Sequence, residues 1–160
     1  MTVTKKKLIN IILLVLIFST VLFIFSRSML SREASSEESR TVGGLIAVIF
    51  PRGTILGDFV QDNIRKIAHF AEFFVLGIEL SVYAYLCMKR KPYVLFAYLF
   101  AFIVAFFDET IQIFSGRGPS ILDVWIDFLG SFSAFTLIYL IPTAIIIFKN
   151  KNNRTENNRG

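Results

Sequence analysis

Long apolar runs along the chain are separated by short polar breaks and one longer mixed connection. The runs cover residues 8–25, 67–87, 93–114 and 123–148. Each is close to or above the roughly 18–20 residues that a helix, rising about 1.5 Å per residue, needs to cross the hydrocarbon of a bilayer. Stretches such as LLVLIF and FAFIVAFF lack the period-two alternation of a barrel strand. A helix satisfies its own backbone in lipid, so the pattern predicts an all-α fold, a polytopic four-helix transmembrane bundle.

Charge sets the expected orientation. Lys5, Lys6 and Lys7 precede the first run, Lys89, Arg90 and Lys91 join the second and third, and Lys149, Lys151, Arg154 and Arg159 follow the fourth. With four spans all three groups fall on one side, and an excess of Lys and Arg marks that side as cytoplasmic. Both termini are therefore expected in the cytoplasm. The basic start followed by an apolar run also resembles a secretory signal. The run exceeds the roughly 7–15 residues of such a signal and no small-x-small cleavage pattern follows, so it is read as a retained anchor.

The connection 26–66 then lies outside. Ser35, Ser36, Glu37 and Glu38 have capping-box spacing with an apolar run to Phe50 behind them, and Pro51 and Gly53 break the chain. A short interfacial helix over 42–50, lying on the outer leaflet, fits this pattern, and so does a lid over the mouth of the bundle. Asp58 and Gln61 can start a further helix that runs directly into the second span. Residues 1–148 thus read as one membrane domain, and the polar, Asn-rich tail 149–160 as disordered.

Composition agrees with this reading: 54% of residues are hydrophobic, the mean hydropathy is +0.63, and the 18 Phe fall mostly inside the spans. A net charge of +5 would point to nucleic acid in a soluble protein. Here the basic residues bracket the spans, so no nucleic-acid partner is expected. Cys87 is the single cysteine and has no disulfide or metal-motif partner in the sequence.

The departure from a plain membrane anchor is a set of ionisable residues within the spans, each costing about 2.5–3.5 kcal/mol on insertion scales and normally facing a bundle interior. Span two opens with Arg65, Lys66, His69 and Glu72. Span three ends with Asp108, Glu109 and Gln112. The turn after it carries Arg117 and Ser120, and span four opens with Asp123 and Asp127. Asp108 and Gln112 share a helix face, as do Asp123 and Asp127, whose stripe continues through Gly130 and Ala134 as a small-residue groove for a neighbouring helix. All lie within about two or three turns of the outer helix ends, so three helices aim polar groups at one pocket.

The blocks RKIAHFAEFFVLG and DETIQIFSGRGPSILDVWIDFLG resemble the signature of the VanZ-like family of bacterial membrane proteins over residues 64–134. Asp127 stands where that family usually has Asn, Ala134 where a second Gly is common, and Glu79 where an apolar residue is expected. The resemblance implies a role at the bacterial cell envelope connected with tolerance of teicoplanin-type glycopeptides. Its implied partners are membrane lipids and a lipid-linked wall precursor or the glycopeptide itself.

The residues admit more than one chemistry. His69, Glu72, Asp108 and Glu109 are the candidates for acid–base catalysis, since His69 is the side chain that titrates near neutrality. Lys66, Gln112, Arg117, Ser120, Asp123 and Asp127 are the candidates for substrate binding. Each has a plainer role beside it. His69 can hydrogen-bond Glu72 or Asp108, Ser120 and Asp123 can cap a helix, Arg117 can pair with Asp123 or Asp108, and Lys66 can snorkel. No cofactor is expected, with a divalent cation on His69 and Glu72 plus nearby carboxylates as the open alternative. Glu79, about 15 Å deeper than His69, is expected to be neutral and hydrogen-bonded to a hydroxyl such as Tyr98, Ser131, Ser133 or Ser19. Two function classes remain: an enzyme acting on an envelope lipid or glycan, and a non-catalytic binding or accessory protein. A proton-linked transporter is disfavoured, because no inverted repeat is visible.

Overall fold

The computed structural model describes residues 3–87, 92–118 and 120–141. Among these the fold is all-helical, with α1 (Val3–Ser28), α2 (Arg32–Ile46), α3 (Ile55–Asp62), α4 (Ile64–Cys87), α5 (Pro92–Phe114) and α6 (Ile121–Phe135). A π-helical stretch, Thr136–Leu140, continues α6. Four helices are long and apolar enough to span a membrane: Thr4–Ser28, Ile64–Leu86, Leu95–Phe114 and Ile121–Ile138. The protein is a multi-pass membrane protein. The Lys89–Lys91 segment, the end of the fourth apolar run and the tail 149–160 lie outside the described residues.

α4 and α6 form the main interface, and both α4 and α5 touch α1 and α6. The α4–α6 approach is close because small residues line it: Gly77 faces Ser131 and Ala134, and Gly130 faces the backbone at Phe70. Ser131 Oγ donates to the Phe73 carbonyl at 2.9 Å. Gly130 and Ala134 thus sit in the groove that their spacing predicts. Phe73, Leu76, Leu80, Ala101, Val104 and Phe135 fill the core, while Phe18, Phe106 and Phe107 face outward, as lipid-facing residues do.

The connection between α1 and α4 departs from the expected helix over 42–50. α2 starts earlier, at Arg32, because Ser31 caps it by accepting from the Ala34 N–H at 3.3 Å. The supposed capping box does not form: Ser36 Oγ donates to the Arg32 carbonyl and the Ser35 carbonyl accepts from Ser39 Oγ, each bond reaching four residues back. Glu33 sits in the first turn, where backbone and Ser31 hydrogen bonds hold its carboxyl below its ordinary range. α3 begins at the cap Thr54 and is separated from α4 by Asn63, so it does not run directly into the span. Leu45, Val48, Ile49, Ile55, Leu56 and Phe59 leave an apolar surface exposed along this connection.

Candidate functional site at the polar end of the bundle

The C-terminal ends of α1 and α5 and the N-terminal ends of α4 and α6 meet at one end of the bundle. α5 stops at Phe114 because Gly116 adopts φ +74, and the Arg117 N–H reaches back to the Gln112 carbonyl at 3.1 Å. This left-handed C-terminal turn folds the chain back and buries Arg117, whose Nη2 donates to the Arg27 carbonyl at 3.0 Å. The guanidinium therefore holds the end of α1, a favourable place for a cation. The ion pairs with Asp123 or Asp108 that the sequence allowed are not formed. Burial pulls the Arg117 guanidinium below its ordinary pKa, and neighbouring Arg65 adds to the effect.

Asp108 is fully buried at the centre of the site. It accepts from Ser28 Oγ at one oxygen and from Gln112 Nε2 at the other (3.1 Å). Gln112 in turn accepts from Arg65 Nη2 at 2.7 Å, so it bridges Arg65 to Asp108. His69 Nδ1 lies 3.7 Å from Asp108 Oδ2 and 3.8 Å from Asp127 Oδ1, beyond hydrogen-bond reach of both. His69 Nδ1 and both oxygens of the buried Asp127 have no hydrogen-bond partner among the described residues.

Glu72 makes no hydrogen bond to His69; its Oε1 lies 3.7 Å from Arg27 Nε, and Arg27 also pairs with Glu38 on α2. Glu109 accepts from the Ser120 backbone N–H at 2.8 Å, and Ser120 Oγ caps α6 by accepting from the Asp123 N–H at 3.3 Å. Ser120 and Glu109 thus build the turn. Two cavities flank His69 and Arg65. One, of about 40 Å³, is also lined by Arg27, Glu72 and Arg117, with Ser35, Glu38 and Ser39 of α2 closing over it. The second, of about 240 Å³, is lined by His69 and Asp127 together with Lys66, Asp62 and Asp123.

Arg27 and Ser28 belong to this centre and do not stand out in the sequence, and Glu38 belongs to it as the partner of Arg27, not as the capping residue its spacing suggests. Ser28 continues the buried stripe Leu13, Ile17 and Ile24 of α1, a pattern that a uniformly apolar helix conceals. Glu79 lies away from the centre and accepts from Thr20 Oγ1 at 2.9 Å, a partner different from the four hydroxyls expected.

Both sequence blocks, and the end of α1 that completes them, lie inside one family match: the chain matches the VanZ/LLP1 family over residues 10–147. The chain belongs to the VanZ/LLP1 family. No curated protein and no solved structure gives a match. All four spans of this VanZ/LLP1 protein contribute to the centre: Ser28 and Arg27 from α1, His69 from α4, Asp108 from α5 and Asp127 from α6.

Proposed function

We propose that this VanZ/LLP1 protein sits in the bacterial cell membrane with both termini cytoplasmic and binds an envelope lipid or lipid-linked wall precursor. Its link to glycopeptide tolerance would follow from that binding. The observation that carries the reading is the position of Glu72. A largely apolar groove of about 410 Å³ between α1 and α4, lined by Leu16, Thr20, Phe23, Ala71 and Val75, also includes Glu72, and Glu72 lines the smaller polar cavity as well. A hydrocarbon chain in the groove would bring its head group to Arg27, Arg65 and Arg117. Three guanidiniums beside Glu38 and Glu72 suit a head group that combines phosphate with hydroxyl or amine groups. The exposed apolar residues from Leu45 to Phe59 support an interfacial position for α2 and α3 over that end.

A catalytic version of this reading has one observation in its favour, the unpartnered His69 Nδ1 facing two carboxylates. The groove is tested by Val75→Trp, which fills it at a distance from the charged residues. Lipid that co-purifies with wild-type protein, measured by mass spectrometry, should be lost from Val75→Trp at unchanged protein level. Equal lipid occupancy in the two would overturn the reading. Teicoplanin tolerance of cells carrying His69→Ala or His69→Gln then separates the two versions. Catalysis requires both to be inactive, whereas binding leaves His69→Gln partly active.

A further inference from the structure

We infer that His69, Asp108 and Asp127 form a binding site for one divalent transition-metal ion, with Zn²⁺ the best match. Ligand atoms from the three side chains all lie within 4.8 Å of one another, and no other such His, Cys, Asp and Glu grouping occurs among the described residues. Around a tetrahedral ion with bonds of about 2.0–2.2 Å, ligand atoms stand roughly 3.4 Å apart. The 3.7 and 3.8 Å separations from His69 Nδ1 are within a few tenths of that. One imidazole with two carboxylates is a nitrogen–oxygen donor set that favours zinc-like ions over magnesium or calcium.

The independent evidence is what these atoms lack. Asp127 is 1% exposed, yet neither of its carboxylate oxygens has a hydrogen-bond partner, and His69 Nδ1 is also buried without one. Buried polar atoms are normally satisfied, so an orphaned imidazole nitrogen 3.8 Å from an orphaned carboxylate marks a place for a ligand. No Lys or Arg among the described residues is within ion-pair distance of Asp108 or Asp127. The nearby guanidiniums are engaged elsewhere: Arg27 with Glu38 and Glu72, Arg65 with Gln112, and Arg117 with the α1 carbonyl. A divalent ion supplies the missing positive charge. Ser28 and Gln112 already fix the Asp108 carboxylate, as outer-shell partners of a metal ligand do. His69 and Asp127 also line the 240 Å³ cavity, so remaining coordination positions are open to water or to a polar ligand. The inference does not depend on a lipid occupying the groove.

The test uses the full chain, purified in detergent with a histidine-free affinity tag. Elemental analysis after Zn²⁺ loading and desalting should give one ion per chain. Asp127→Asn keeps the shape of the side chain and removes its charge. It and His69→Ala should each weaken Zn²⁺ binding by more than about 10-fold, the lower end of what losing even an outer-shell partner costs. Glu79→Gln, remote from the site, should bind as wild type. His69 is the only histidine in the chain, so pulsed electron paramagnetic resonance of Cu²⁺-loaded wild type should show one coordinated imidazole nitrogen. That measurement decides the question even if a variant fails to accumulate. Less than one-tenth of an ion per chain, absence of the imidazole signal, or Zn²⁺ affinity unchanged in Asp127→Asn would each overturn the assignment.

Discussion

The α4–α6 interface permits a sharp test of the fold, because two glycines set how near the helices come. A Cβ on Gly77 would lie 2.6 Å from the Ser131 carbonyl oxygen, 2.7 Å from Ser131 Cα and 2.8 Å from Ala134 Cβ. On Gly130 it would overlap the Phe70 carbonyl oxygen and stand 3.2 Å from Phe73 Cβ. The obstacles are mostly backbone, so the helices must separate by on the order of 0.5–1 Å, which forfeits a quarter to a half of each dispersion contact along the seam. Overpacking of this kind costs about 1–3 kcal/mol, and strain on the Ser131–Phe73 hydrogen bond adds about 0.6 kcal/mol. Alanine's better helix propensity returns up to about 1 kcal/mol. Gly77→Ala and Gly130→Ala should therefore each destabilise the protein by about 1–2 kcal/mol. The double variant should lose less than the sum, because one separation of the helices relieves both clashes. Gly44→Ala makes the same chemical change where nothing lies within 4 Å, and should be neutral or slightly stabilising. Steric trapping or reversible detergent unfolding reads these differences. If Gly77→Ala and Gly130→Ala track Gly44→Ala within about 0.5 kcal/mol, the close backbone approach is wrong.

Gly116 at φ +74 should accept Asn better than Ala; Gly116→Ala should cost about 1–2 kcal/mol in the same unfolding assay, and equal stability of the two would refute the left-handed turn. Thr20→Val removes the donor to Glu79 and should destabilise by about 0.6 kcal/mol, while Glu79→Gln can still accept from Thr20 and should leave both protein level and teicoplanin tolerance intact. A Glu79→Gln protein that accumulates normally but is inactive would instead give Glu79 a titrating role. With Cys87 replaced, cysteines at exposed Ser36 and Gly118 should react with an impermeant thiol reagent in intact cells and a cysteine at Asn153 should not; the reverse pattern would invert the topology.

The bundle was legible because span length and apolar content are imposed by the bilayer, and four helices of the required length follow directly. The inward stripe of α6 was legible too, since Asp127, Gly130 and Ala134 recur at helical spacing on an otherwise bulky helix. The Gly116–Arg117 pair was visible as a motif, but its reason was not. The glycine closes α5 and turns the arginine onto the end of α1, a contact between residues 90 positions apart. Ser28 escaped notice for a related cause, since its partner Asp108 is 80 positions away. In α2 the local rule favoured Ser35 because Glu38 stands three residues later. That glutamate is instead held by Arg27, and the helix starts four residues earlier, where Ser31 supplies the cap.

Depth along the helices separates the polar groups that the fold itself requires from those it does not. Two helix C-termini and two N-termini meet at this end of the bundle, each with backbone groups that its own helix leaves unpaired. Arg117 on the α1 carbonyl, Ser120 on the α6 N–H and Ser115 on the Ser28 carbonyl meet that need, and Glu109, level with Asp108 on α5, reaches outward to the Ser120 N–H. A membrane bundle ending here would keep them even without a ligand. His69, Asp108 and Asp127 lie about 7–9 Å inside the ends of α4, α5 and α6, more than a helical turn below the capping layer. At that depth every helix satisfies its own backbone, so these side chains answer no demand of the helix ends. The fold pays for burying them and, at Asp127 and His69 Nδ1, offers no hydrogen bond in return. Such a cost at a point where three helices meet is what a ligand site entails, and the inner layer is where substitutions should affect function before stability.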